Sequence, residues 1–334
     1  MRARAHAAHL AIALLCAIGI SATTGASAAD DAATYPSRPI RVIVPFAPGG
    51  ATDLAMRMVQ PGMQQTLGQQ VVIDNRGGAA GNIGMEIAAR SAPDGYTLFF
   101  GNVGTTAINP GFYRDLAVAP ERDFIPVSIA SETAGILVAS KKFPPNSVKE
   151  MIEYVKARPG KVNYGAAGIS TLNALEMEQF RRAAGLDMTQ VPYKGGAGPA
   201  LNDLAAGHID LMFVTFSAAI GHVKAGSMKA LAVTTRDRLE QLPDVQTMVE
   251  QGFPDNVSSS WQGLFAIAGT PQPIVAKLHA AVVEAMKDPN TRKLMNDAGM
   301  IASSSPSPEH YKAFVAAETV KWKRVTQETG ARQE

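Results

Sequence analysis

The sequence predicts an α/β protein built from two similar lobes, and three observations carry that prediction. The chain's 334 residues exceed what one compact core ordinarily takes and suit two domains. Short strand-like apolar runs alternate with helix-periodic segments in βαβ order, the grammar of a parallel sheet covered by helices. The same grammar then recurs in the second half. With 46% hydrophobic and 18% charged residues, the composition is that of a packed globular protein.

The first residues stand outside that fold. Arg2 and Arg4 precede an apolar run over 10–20 (LAIALLCAIGI), and Ala26-Ser27-Ala28 fits a small-residue cleavage site. Residues 1–28 are therefore read as a signal peptide, too short in its apolar core to serve as a spanning helix. The single cysteine, Cys16, lies inside that run behind Leu15, which is too large for a lipoprotein signal. The mature chain would then hold no disulfide and no thiolate. A soluble protein exported to a Gram-negative periplasm is expected.

Residues 40–45 (IRVIVP) read as a buried strand, 46–53 (FAPGGATD) as a glycine loop and 54–67 as a helix. A strand over 71–74, a glycine-rich loop over 75–84, a helix over 85–90 and a strand over 96–100 (YTLFF) follow. Strands are expected next at 127–131 and 136–139. Ser147, with Glu150 three residues on, marks a capped helix over 147–157. Further strands are expected at 162–165, 188–192, 209–214 and 229–234, with helices at 171–184 and 199–206. A strand at 263–267 and helices at 273–287 and 309–328 complete the chain. The expected division is 35–130 plus 236–334 for lobe 1 and 131–235 for lobe 2. The chain would cross between them near 128–131 and 232–236, and the C-terminal helix would return to lobe 1.

Three loops sit where a strand feeds a helix, the position at which open α/β sheets bind ligands. There the unpaired N–H groups and partial positive charge of a helix N-terminus suit an anion. The first is 48–53, where Gly49 and Gly50 let backbone approach a ligand and Thr52 offers a hydroxyl. Asp53 reads equally as a helix cap and as a ligand contact. The second is 101–106, with Gly104 and Thr105. The third is 165–171, with Gly168, Ser170 and Thr171 at a helix start. Tyr193 and Lys194 add a phenol and a charge, although a solvated turn is the simpler reading of Lys194. Together the loops suggest a cleft that grips a small carboxylate from both sides.

Other chemistries lack their signatures. His208, His222, His279 and His310 have no metal-ligand spacing, so no metal is expected. Gly168-Ile169-Ser170-Thr171-Leu172 fails as a nucleophile elbow at its last position. No phosphate loop or dinucleotide fingerprint occurs, so neither a cofactor nor an enzyme is expected. A net charge of +2 without basic runs argues against nucleic acid.

Several motifs together resemble one family. PFAPGGATD (45–53), VVIDNRGGAAGNIG (71–84), PDGYTLF (93–99), AINP (107–110), DFIPV (123–127), PYKG (192–195), LPDV (242–245) and WQGLF (261–265) are similar to the tripartite tricarboxylate transporter solute-binding proteins, the Bug or TctC family. The resemblance covers the chain from about Tyr35 to the C-terminal helix. It implies a type-II periplasmic binding protein fold, two α/β lobes with a ligand cleft between them. It also implies a receptor that delivers a carboxylate to the membrane permease subunits of such a transporter, and a monomer is expected. Carried over residue by residue, the first lobe's grip is Phe46, Gly49, Gly50, Thr52 and Asp53, with Gly104 and Thr105. The second lobe contributes Gly168, Ser170, Thr171, Tyr193 and Asp210. The chain departs from the family at Thr106 and Ala174, where many members have histidine, and at Ala166 and Ala167, where many have serine. It has Ser170 for glycine and Gly77 for proline. These changes weigh against a citrate-like ligand and leave room for a smaller or partly apolar acid. A sensing module would present the same cleft, and an α/β hydrolase or oxidoreductase remains the third reading.

Overall fold

One long strand organises the molecule. The computed structural model describes residues 34–166, 171–193 and 197–330. In chain order the strands are β1 (Ile40–Val44), β2 (Val71–Asn75), β3 (Thr97–Asn102), β4 (Phe124–Ser140), β5 (Asn163–Ala166), β6 (Thr189–Pro192), β7 (Leu211–Thr215), β8 (Met228–Val233), β9 (Ser259–Ile267) and β10 (Ile301–Ala302). The main helices are α1 (Ala51–Leu67), α2 (Asn82–Ala89), α3 (Val148–Lys156), α4 (Leu172–Ala183), α5 (Ala197–Ala206), α6 (Phe216–Lys224), α7 (Gln272–Lys287), α8 (Pro289–Asp297) and α9 (Pro308–Thr329).

The strands lie in the order β2-β1-β3-β9-β4-β7-β5-β6, with β8 and β10 also paired to β4. The first part of β4, through Ala134, pairs with β9; from Gly135 onward it pairs with β7. Sequence reading predicts two strands here, because Glu132-Thr133-Ala134-Gly135 interrupts the apolar pattern. The structure shows a single strand of 17 residues. Backbone pairing on both sides of the interruption outweighs the poor local propensity.

Two antiparallel steps, β3 to β9 and β9 to β4, set β1, β2 and β3 running in the direction of β4. One antiparallel step sets β7, and its parallel neighbours β5 and β6, running against it. Since β4 passes from one lobe into the other, the carboxyl ends of the two parallel sets point toward each other across the crossing.

Each lobe buries both faces of its sheet, as the period of two in the strands dictates. In lobe 1, Ile40, Val42 and Val44 pack with α1 and α7, and Ile43 enters the opposite cluster with Phe99, Phe265 and Trp322. In lobe 2, Leu137 and Ala139 face one cluster, and Ile136 and Val138 the other. Gly62 lets α1 meet α7, since a Cβ there would lie 2.6 Å from that of Ala285. Helix α9 returns to lobe 1, burying Tyr311, Val315, Trp322 and Val325.

The return crossing falls later than 232–236. Leu239, Leu242, Val245 and Met248 pack on the cores of lobe 2, so the chain re-enters lobe 1 at Ser258–Ser259. There Thr234 ties the crossings together. Its Oγ1 accepts from Gly135 N and donates to Ser258 O, both at 2.8 Å. Helices α6 and α8 carry weak sequence signals and emerge only in the structure.

Candidate functional site

The glycine loop after β1 is fastened from below by Asp53. This carboxylate is 1% exposed and accepts from Gly49 N and Arg57 Nε at 2.8 Å and from Asn75 Nδ2 at 3.0 Å. Burial pushes its pKa up, but those hydrogen bonds outweigh burial and hold it below the ordinary aspartate value. The cap residue of α1 is Gly50, so Asp53 acts as the loop's anchor rather than as its N-cap. Asn75 also donates to Phe46 O at 3.0 Å, which joins the loop to the end of β2. Gly49, at φ +85°, and Gly50 are exposed, and the space around Gly49 is open where a Cβ would stand.

Beside this loop, β3 ends in Asn102, a residue the sequence reading did not single out. Its Oδ1 accepts from Thr105 N at 3.0 Å, and its Nδ2 approaches Thr52 Oγ1 at 3.4 Å. Thr105 is fully buried and spends its hydroxyl on Asn102, so its role is to shape the turn. Thr52, 4% exposed, accepts from Asn102 and keeps its own proton for another acceptor. Gly104 opens the wide, π-helical turn that follows β3. Gly81 fits between this turn and Phe46. At φ +90°, a Cβ there would lie 2.5 Å from Thr105 Cγ2 and 3.2 Å from Phe46 Cζ.

Across the crossing, Thr171 caps α4 by accepting from Ala174 N at 3.3 Å. Tyr193 follows β6 and donates its backbone N–H to Ala166 O at 2.8 Å. Its hydroxyl donates to Asp203 Oδ2 at 2.6 Å. Burial, and then the Asp203 carboxylate, push the Tyr193 pKa up to about 12. Asp210 is elsewhere. It precedes β7 and exchanges hydrogen bonds with Asn163 at 2.8 and 2.9 Å, at the amino ends of the strands and away from the facing carboxyl ends. Gly168, Ser170 and Lys194 lie outside the described residues.

Phe46, Gly49, Gly50, Thr52, Asp53, Gly104 and Thr105 thus lie at and beyond the carboxyl ends of β1 and β3, and Thr171 and Tyr193 follow β5 and β6. Helices α1, α4 and α6 each begin beyond the carboxyl end of a strand, after β1, β5 and β7, and a helix N-terminus suits an anion. No cluster of His, Cys, Asp and Glu suited to a metal occurs among the described residues.

The family model described as the tripartite tricarboxylate transporter family receptor matches residues 55–331. The chain belongs to this family. It is 36% identical to the protein BugT of Bordetella pertussis over 96% of this chain and 98% of BugT. The solved structure of MatC from Rhodopseudomonas palustris, with bound malate, is 36% identical with a TM-score of 0.74, covering 87% of this chain and 99% of MatC. Rpa4515 of R. palustris, solved with adipate, is 33% identical with a TM-score of 0.78, covering 89% and 98%. The two-lobed periplasmic binding fold and the receptor role expected from the sequence agree with these matches. The family is one of solute-binding receptors rather than enzymes.

Proposed function

We propose that this chain captures a small carboxylate between its lobes in the periplasm and delivers it, as a monomer, to the permease subunits of a tripartite tricarboxylate-type transporter. The observation that carries this reading is the opposition of strand carboxyl ends across β4, with an exposed Gly49-Gly50 loop after β1 and helices beginning after β1, β5 and β7. An anion there replaces water with preset N–H donors, and no cationic clamp is needed. Related receptors solved with malate and adipate support the ligand class. Phe46, Gly49, Gly50, Thr52 and Thr171 are the proposed contacts, and Asp53, Asn75, Asn102 and Thr105 hold them in place.

Calorimetry of the mature protein against a panel of acids and neutral sugars tests this. A bound acid at a hundred times its dissociation constant should add about 2.7 kcal/mol to stability. A sugar that stabilises the fold while every acid fails would overturn the carboxylate reading.

A further inference from the structure

Helix α4 joins the candidate site to the crossings between the lobes. Thr171, a proposed contact of the solute, caps its start. Glu176 follows on the same helix, about 7.5 Å along the axis from that cap. Its side chain is turned onto the crossings. Ser258 Oγ, where the chain returns to lobe 1, donates to Oε1. A Cβ on Gly135 of β4 would lie 2.8 Å both from that oxygen and from Thr234 Oγ1. Asn173 Nδ2 donates to Oε2 at 2.7 Å, and Asn256 Nδ2 donates to the Glu176 carbonyl at 3.3 Å.

Glu176 is 1% exposed. The cation that attracts it, Lys321 of α9, forms its ion pair with Glu318 at 3.7 Å and donates to Val257 O. Glu132 on β4, Arg236 beyond β8, Asp255 ahead of the return, and Glu318 and Arg324 on α9 border the adjacent groove. None of these groups is a histidine. A carboxylate enclosed in this way is costly to keep charged, and burial pushes the Glu176 pKa up to about 7. Near neutral pH the protonated and charged forms are therefore both populated.

We propose that Glu176 makes capture of the carboxylate proton-linked: the site holds its solute more tightly with a proton on Glu176 and loosens when that proton leaves. An anion at the cap of α4 disfavours the charged form of Glu176, and by reciprocity the charged form disfavours the anion. Two like charges about 8–10 Å apart, at an effective dielectric constant of about 20, change affinity on the order of tenfold. The neutral form keeps its bonds to Ser258 and Asn173, so the crossings stay fastened while the charge beneath the site comes and goes. The inference rests on the carboxylate reading above and adds a regulation to that same site. Solute is held in mildly acid surroundings and released as pH rises through neutrality.

The test is calorimetry of wild type and Glu176→Gln against a panel of mono- and dicarboxylates, malate and adipate included, at about pH 6 and pH 8.5, where these acids are largely ionised. Wild type is expected to bind about five- to tenfold more weakly at the higher pH. Glu176→Gln, which imitates the protonated side chain, should bind equally at both and match wild type at the lower. Repeating the wild-type titration near pH 7 in buffers of different ionisation enthalpy should show uptake of about 0.4 of a proton per bound acid, against none for Glu176→Gln. The proton count in wild type stands even if the variant does not fold. Wild-type binding without pH dependence or proton uptake overturns the linkage alone, as does a Glu176→Gln protein that keeps the wild-type pH dependence. Failure of every acid to bind wild type at either pH overturns the carboxylate reading and the linkage together.

Discussion

Replacing Glu176 by glutamine should remove a pH dependence of stability that the wild-type protein shows between about pH 4.5 and 7. Glu176 lies on α4 beneath the crossing strands, 1% exposed. Ser258 Oγ donates to its Oε1 and Asn173 Nδ2 to its Oε2, the latter at 2.7 Å. A Cβ on Gly135 would stand 2.8 to 3.0 Å from both carboxylate oxygens, so glycine makes room for the group. Lys321 of α9 attracts it from a distance, and Glu132, Glu318 and Arg236 border the adjacent groove. Burial dominates. It pushes the pKa from 4.5 up to about 7, against the pull of Ser258, Asn173 and Lys321. Below pH 4.5 both the folded and unfolded chains hold the proton. As pH rises, the unfolded chain releases it first, so stability falls through the window and levels off above pH 7. A shift of this size corresponds to about 3 kcal/mol. At about 2 °C per kcal/mol for a chain of this length, the melting temperature of Glu176→Gln should gain about 6 °C on wild type between pH 5 and 8. Differential scanning calorimetry across that range reads the gap. A gap that stays constant would refute the reasoning, because it would mean that Glu176 carries the same charge in the folded and unfolded states throughout.

Asp53→Asn should cost about 1–3 kcal/mol at pH 7 by weakening the bonds to Gly49 and Arg57. Because the Asp53 pKa is held low, this stabilisation is present above the unfolded value of about 3.9 and is lost as pH falls through the folded value. Denaturation at pH 7 and at pH 3 should therefore show the wild-type advantage shrinking in acid. Gly81→Ala places a Cβ 2.5 Å from Thr105 Cγ2 at a positive φ, and should destabilise by about 2 kcal/mol or more in chemical denaturation. Gly263→Ala is more severe, since its Cβ would lie 2.1 Å from the Tyr311 hydroxyl and 2.7 Å from Ser128 O; little soluble protein should accumulate on expression.

The lobes were legible because apolar period and glycine placement are local properties. Residues 40–45 and 96–100 could be read as strands from their own composition, and the Gly49-Gly50 turn from its place between a strand and a helix. Long-range partners left weaker traces. Asn75 and Asn102 look like ordinary loop polar residues until Asp53 and Thr52 are folded against them. Tyr193 reads as a phenol available to a ligand, but ten residues on, Asp203 accepts its proton. Asp210 has a plausible residue type at the wrong end of its strand, a distinction that strand direction makes and composition does not.

By itself the sequence determined the α/β grammar and the two lobes, since both follow from periodicity and turn chemistry along the chain. The tertiary structure decided that β4 is one strand shared by both lobes, that the chain returns at Ser258, and that the Thr133 hydroxyl is buried without a hydrogen-bond partner among the described residues. These are facts of register and burial. They depend on which residues meet across the sheet, and a polar side chain within a strand carries no mark of whether water, protein or a solute will face it.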